Sequence, residues 1–88
     1  SYSTSWVEHA KTYCHQIARR LQLDTQSLVV ELASNDGYLL QHFIPMKIPA
    51  LGIEPAANVA KVAIEKGVST RGEFFGDSYA QQLVTEGL

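Results

Sequence analysis

The sequence predicts an α/β fold in which helices alternate with the strands of a parallel sheet. The segment LVVELA, at 28–33, is short and mostly apolar, as is typical of a strand buried on both faces of such a sheet. Two further strand candidates are ALGIE at 50–54 and the weaker VST at 68–70, and segments with helical periodicity separate them. This alternation favours right-handed crossovers, so we predict a three-layer sandwich with three parallel strands in the order 3-2-1.

An amphipathic helix is predicted over 5–22, ahead of the first strand. Its apolar residues recur at spacings of three and four, which places them on one helix face. They are Trp6, Ala10, Tyr13, Cys14, Ile17, Ala18 and Leu21. The polar segment LDTQS at 23–27 ends this helix.

Three helices are predicted among and after the strands. A short one over 37–43 follows the first strand, and one over 57–66 follows the second strand. Gly67 then occupies the position at which a helix C-terminal glycine belongs. A final helix is predicted over 78–86.

The composition describes one small globular domain. Of its 88 residues, 45% are hydrophobic and 18% are charged, which is ordinary for a globular protein. The net charge of −2 gives no general attraction to nucleic acid or to an anionic membrane, so we expect neither as a partner. No apolar run approaches the roughly 20 residues that span a bilayer. The single cysteine, Cys14, cannot form an internal disulfide, so we expect a cytoplasmic protein.

The chain begins at Ser1, and its one methionine is Met46, so we expect a fragment of a longer protein. Within one domain, residues 1–27 would form a lead-in helix. Residues 28–88 would form a βαβαβα unit.

The segment ELASNDG, at 31–37, is the candidate ligand loop. Ligands of open α/β sheets bind at the carboxyl ends of the strands, where this segment lies. Close approach of a ligand to the backbone requires small residues or positive φ angles. Ala33, Asn35 and Gly37 can meet this requirement at alternating positions without three glycines. Asp36 is a reasonable N-cap for the helix that follows.

Two acidic residues flank this loop. Glu31 lies within an apolar strand, where an unpaired carboxylate is costly, and a cationic ligand group, protein amides or water would relieve that cost. Glu54 follows 23 positions later, at the end of the second strand, where a carboxylate can accept hydrogen bonds from both ribose hydroxyls of a nucleoside. Alternatively, both acids could be purely structural.

Two nucleoside cofactors compete for such a loop. NAD(P) needs a G-x-G-x-x-G motif that places its pyrophosphate on a helix N-terminus, and the chain has none. Asp36 would also repel a pyrophosphate. S-adenosyl-L-methionine has no phosphate, and its sulfonium and ammonium groups suit an acidic loop, so we expect this cofactor.

Two long segments resemble the S-adenosylmethionine-dependent sugar C-methyltransferases: VVELASNDGYLLQHF at 29–43 and LGIEPAANVAKVAIEKGVSTRGEFF at 51–75. These are class I methyltransferases with a Rossmann-like core, and they methylate a ring carbon of nucleotide-linked deoxysugars. STSWVEHA, at 3–10, also resembles the lead-in helix of that family. The resemblance implies a partial Rossmann-like class I fold for this chain, preceded by an N-terminal helix.

The resemblance also implies a set of cofactor-binding residues. These are Glu31, Ala33, Ser34, Asn35, Asp36, Gly37, Glu54, Pro55, Glu73 and Phe74. Glu31 would help hold the methionine end, Glu54 the ribose hydroxyls, and Pro55 would form the wall next to the adenine. Glu73 and Phe74 would contact the adenine ring, although Phe74 and Phe75 could instead be core residues. The family commonly has glycine at the position of Ala33, where an added methyl is expected to tighten the loop.

The resemblance implies that full-length members contain three parts: a zinc-binding module, this core and a C-terminal sugar-nucleotide domain. Their catalytic histidine lies downstream of the matching region. We therefore predict neither a catalytic residue nor a metal ligand in this chain, and a nucleotide-sugar substrate for its parent protein. A non-enzymatic nucleotide-binding or assembly module is the alternative. The first strand would be an edge of the sheet, which predicts pairing between chains.

Overall fold

The computed structural model describes residues 4–73. Its elements are helix α1 (Thr4–Arg20), strand β1 (Val29–Leu32), a 3₁₀ helix (Leu40–Phe43), strand β2 (Ala50–Ile53), helix α2 (Ala57–Glu65) and strand β3 (Thr70–Arg71). Apart from the 3₁₀ helix, each lies within two residues of the predicted bounds. The predicted final helix, 78–86, lies outside the described residues.

The three strands form a parallel sheet in the order β1-β2-β3, which is the predicted order 3-2-1 read from the opposite edge. Val29 pairs with Ala50 at the start of β1, and Glu31 pairs with Gly52. Gly52 pairs in turn with Thr70 of β3. The parallel α/β architecture is therefore confirmed, whereas the described residues do not make up a complete Rossmann-like sandwich.

The helix predicted over 37–43 is present only as the 3₁₀ helix, which begins three residues later and ends at the predicted position. Gly37 has a φ of +81°, so it cannot form part of a right-handed helix. Pro45 has no N–H with which to continue an α-helical ladder. The short stretch between them contains i→i−3 hydrogen bonds, such as His42 N to Leu39 O at 3.2 Å.

Residues of α1, the 3₁₀ helix, the sheet and α2 form the hydrophobic core. Its buried members are Cys14, Ala18, Val29, Leu40, Phe43, Ile48, Ala63 and Val68. Cys14 is fully buried, and its thiol donates to Leu39 O at 3.4 Å, as suits a small core residue.

The buried stripe of α1 is narrower than its apolar pattern predicts. Ala10, Cys14 and Ala18, each four residues apart, are buried, whereas the side chains of Trp6 and Tyr13 are 51% and 44% exposed. Small side chains allow the helix to approach the core closely, and this leaves the larger aromatic residues at the rim. The sequence thus predicts correctly which side of α1 faces the core, but it predicts more buried residues than the structure has.

Gly52, in the middle of β2, makes room for the segment that follows β1. A Cβ atom at this position would overlap Ser34 Oγ and would lie 2.8 Å from Ser34 Cβ. A glycine inside a strand often marks such a close approach. The loop after β1 is therefore pressed against β2.

Between residues 4 and 73, no helix is long and apolar enough to cross a membrane.

Candidate functional site

The loop after β1 has a left-handed backbone at each of the three positions that the sequence singles out. The φ angles are +56° at Ala33, +56° at Asn35 and +81° at Gly37. Asparagine tolerates this conformation and glycine favours it, whereas alanine is strained there by about 1–2 kcal/mol. The alternating pattern therefore shapes the loop in the way that a glycine-rich loop would, at a cost at Ala33.

Two consecutive amides of this loop bind to consecutive groups at the end of β2. Ser34 N donates to Ile53 O at 3.1 Å, and Asn35 N donates to Glu54 Oε1 at 2.8 Å. The other carboxylate oxygen of Glu54 accepts from Ala56 N at 3.0 Å, ahead of α2. The side chain of Glu54 thus joins the loop to the segment that leads into α2.

Glu54 is only 8% exposed, but its known hydrogen bonds do not use all of its acceptor positions. A carboxylate oxygen can accept two hydrogen bonds, and one main-chain amide occupies each oxygen of Glu54. One acceptor position remains on each oxygen, at the carboxyl end of β2. A diol could donate to both.

A groove of about 480 Å³ begins at Glu54 and lies between α2 and β3. Pro55 lines it beside Glu54, and Thr70 and Gly72 line it on the β3 side.

Glu73 is exposed and follows Gly72 directly in the chain. Phe74, the other predicted adenine contact, lies outside the described residues.

Asp36 is held by the protein itself. Its Oδ1 accepts from Tyr38 N at 3.1 Å, a turn contact that precedes the helix. The predicted N-cap role of Asp36 is wrong, because the 3₁₀ helix begins at Leu40 and its N-cap residue is Leu39. Its Oδ2 lies 3.2 Å from Lys66 Nζ, with about a third of each side chain exposed. Because Lys66 offsets its charge, Asp36 offers less repulsion to a pyrophosphate than the sequence suggests. The missing glycine motif then remains the feature of the chain that disfavours NAD.

Glu31 differs from Glu54 because protein amides do not satisfy it. Its Oε1 is buried and has no hydrogen-bond partner within the described part of the chain. Burial raises the pKa of Glu31 to about 7. Burial, and secondly the charge of Glu31, raises the pKa of Cys14 to about 11. Of the three sources of relief considered for Glu31, a ligand cation and water remain for Oε1.

The structure thus brings the loop residues 33–37, Glu54 and Pro55 to the carboxyl ends of β1 and β2, and places Glu31 beside them in the strand. Sequence reasoning missed Gly52 and Lys66. A glycine inside an apolar strand is a signal that could have revealed the first. No local signal connects Lys66 to Asp36, which lies 30 positions away.

The fold and this loop define a parallel α/β protein with a candidate nucleoside site at the strand ends. The chain is distantly homologous to C-methyltransferase NovU of Streptomyces niveus, which is 31% identical over 81 residues, or 92% of this chain. The chain spans 19% of that relative's length. No family model matches the chain. The resemblance to C-methyltransferases is therefore confirmed as distant homology to part of one.

Replacement of Ala33 by glycine should stabilise the protein. Glycine relieves the left-handed strain at a φ of +56°, and part of that gain is offset by the greater freedom of glycine in the unfolded chain. We expect the free energy of unfolding in urea to rise by about 0.5–1 kcal/mol. The control is Lys61→Gly, at an exposed position inside α2, which should lower the free energy of unfolding. Equal effects of the two substitutions would contradict the assignment of strain to Ala33.

Replacement of Glu31 by glutamine should remove a pH dependence of stability. The folded pKa is about 7 and the ordinary value is 4.5, so the neutral carboxyl is favoured in the folded state. Below pH 4.5, Glu31 is protonated in both the folded and the unfolded state, so it does not lower the free energy of unfolding. As the pH rises through this window, the buried charge lowers the free energy of unfolding.

Above about pH 8, Glu31→Gln should therefore be more stable than the unmodified chain by about 1–3 kcal/mol, and this difference should vanish in acid. Urea unfolding across this pH range measures it. Glu65→Gln, at an exposed position of α2, is the control and should leave the profile unchanged. Parallel profiles for the Glu31→Gln and unmodified chains would show that Glu31 is not buried as described.

Proposed function

We propose that this chain is the S-adenosyl-L-methionine-binding portion of a methyltransferase. The observation that carries the proposal is the left-handed loop at Ala33, Asn35 and Gly37, joined through the amide of Asn35 to the carboxylate of Glu54. Distant homology to part of a C-methyltransferase supports the reaction class. By the same relationship, we propose that the parent protein methylates a carbon of a nucleotide-linked sugar.

The acidic residues fit this cofactor by their chemistry. The buried, unpartnered Oε1 of Glu31 is an acceptor that a nearby ammonium group, directly or through water, would satisfy. S-adenosylmethionine, when bound, supplies an electrophilic methyl group on a cationic sulfur. Neither of its cationic groups needs the helix N-terminus that a pyrophosphate requires.

The remaining residues are assigned along the length of the cofactor. Ala33, Ser34, Asn35 and Gly37 form the loop that the methionine end approaches, while the charge of Asp36 is shared with Lys66. The two free acceptor positions of Glu54 would bind the ribose hydroxyls. Pro55 and the groove between α2 and β3 would hold the adenine. By the family resemblance, Glu73 and Phe74 are proposed as further adenine contacts.

We place the sugar site and the catalytic base in the parent protein outside this chain. The 88 residues would then bind and orient the cofactor without transferring its methyl group, and the nucleotide sugar would be a partner of the whole enzyme. A reducing, cytoplasmic setting suits the unpaired, buried thiol of Cys14.

Titration calorimetry with three nucleosides tests this proposal. We expect the chain to bind S-adenosylmethionine and S-adenosylhomocysteine, and to bind NAD at least tenfold more weakly, because it has no loop for a pyrophosphate. Equal or tighter binding of NAD would favour a non-enzymatic dinucleotide-binding module. Failure of the first two ligands to bind even a longer parent protein would overturn a cofactor-binding role.

We also propose that the free edge of β1 pairs with a second copy of the chain. Among the described residues, β1 lies at one edge of the sheet, and an unpaired edge is a template for another strand. Sedimentation velocity should detect larger species as the protein concentration increases. Leu32, at the end of β1, is 50% exposed, so Leu32→Lys should reduce this association without disturbing the core. A monomer at every concentration would argue against pairing at this edge.

A further inference from the structure

Glu54 is a buried carboxylate that is stabilised by main-chain amides. Within residues 4–73, the one ion pair joins Lys66 to Asp36, so no described cation accompanies Glu54. Its hydrogen-bond partners there are Asn35 N, at 2.8 Å, and Ala56 N, at 3.0 Å. A charge buried to this degree is tolerated only where such bonds replace its hydration. The two amides therefore replace hydration that burial removes from this carboxylate.

Through these two hydrogen bonds, Glu54 holds two segments in place: the loop after β1 and the start of α2. Asn35 is one of the left-handed residues of the loop, and the preceding amide, Ser34 N, binds Ile53 O next to Glu54. Ala56 is the N-cap residue of α2, and its own side chain makes no capping hydrogen bond. A carboxylate close to the N-terminus of this helix also interacts favourably with the helix dipole.

We propose that Glu54 is a positioning residue, which sets the conformation of loop 33–37 in addition to binding the ribose. The ribose contact in this inference rests on the proposed function, whereas the contacts of Glu54 with the two amides are seen in the structure. One carboxylate then shapes the part of the site that receives the methionine end and contacts the nucleoside end. The two ends of the cofactor are consequently linked through a single side chain.

The two roles use different acceptor positions and can be separated by experiment. The amides occupy one position on each oxygen, and ribose hydroxyls would use the other. A residue that only contacts ribose would matter only for ligands that have ribose hydroxyls. A residue that also positions the loop matters for any ligand that touches the loop, and for the loop without ligand.

The first measurement is amide hydrogen exchange in the complete 88-residue chain without ligand. In Glu54→Gln, a single carbonyl oxygen replaces two acceptors, and the new NH₂ group cannot accept from the second amide. We expect exchange at Asn35 N–H, Ala56 N–H or both to become about tenfold faster, as for the loss of one hydrogen bond. Glu65→Gln, at an exposed position, is the matched control. Unchanged exchange at both amides would overturn the proposal.

The second measurement uses S-adenosylhomocysteine and its 2′,3′-dideoxy analogue. The analogue cannot donate to Glu54 from its ribose, so a contact role alone predicts that Glu54→Gln and the unmodified chain bind it equally. A positioning role predicts that the variant binds the analogue about tenfold more weakly, by the same hydrogen-bond loss. Equal binding of the analogue would overturn the positioning role and leave a ribose contact.

The two measurements also distinguish failure of this inference from failure of the proposed function. If neither ligand binds the unmodified chain, the result counts against the proposed function, and amide exchange still decides the role of Glu54. If circular dichroism shows that Glu54→Gln does not fold, Glu54→Asp replaces it. That variant retains the charge, but its shorter side chain cannot reach both amides, so faster exchange is again expected and unchanged exchange again overturns the proposal.

Discussion

The candidate site depends on one interaction, in which the carboxylate of Glu54 accepts hydrogen bonds from the amides of Asn35 and Ala56. The first holds the loop after β1 against the end of β2, and the second fixes the segment that begins α2. Because parallel strands end at the same edge of a sheet, a side chain at the end of β2 can reach both segments. Two segments that are distant in the sequence, the loop after β1 and the start of α2, are thus held together around the carboxylate of Glu54.

The two acidic residues of the candidate site, Glu54 and Glu31, differ in how their carboxylate oxygens are hydrogen-bonded. Glu54 is nearly buried and has an amide for each oxygen, whereas Glu31 has a buried oxygen without a partner and a pKa raised to about 7. Buried polar groups in folded proteins are nearly always hydrogen-bonded, so the unpartnered oxygens of Glu31 and of Ser34 in the adjacent loop are informative. The position of Glu31 at the carboxyl end of β1, beside the loop, makes a ligand or an ordered water its natural partner.

Sequence reasoning succeeded where short-range physical rules apply. Apolar runs located the strands, alternation predicted their parallel arrangement, and the tolerance of glycine and asparagine for positive φ identified Asn35 and Gly37. Ala33 was identified by its position in the pattern, since alanine has no preference for that conformation.

The sequence was less informative where distant segments meet. The apolar pattern of α1 could not show that small residues alone would be buried and that Trp6 and Tyr13 would lie at the rim. The short stretch between Gly37 and Pro45 has helical periodicity, yet the backbone at its two ends leaves room only for a 3₁₀ helix. The link between Asp36 and Lys66 is set by how α2 packs, which no local pattern encodes.

The contact between Ser34 and Gly52 has a consequence for the evolution of this fold. A Cβ at position 52 would overlap the side chain of Ser34, so the two positions share one small volume. A side chain at position 52 must be accompanied by a smaller residue at position 34, whereas glycine at position 52 cannot be reduced further. The two positions should therefore vary together among related proteins. A pair of sites that lie 18 positions apart in the chain would then record, in sequence alone, that the loop after the first strand rests on the second.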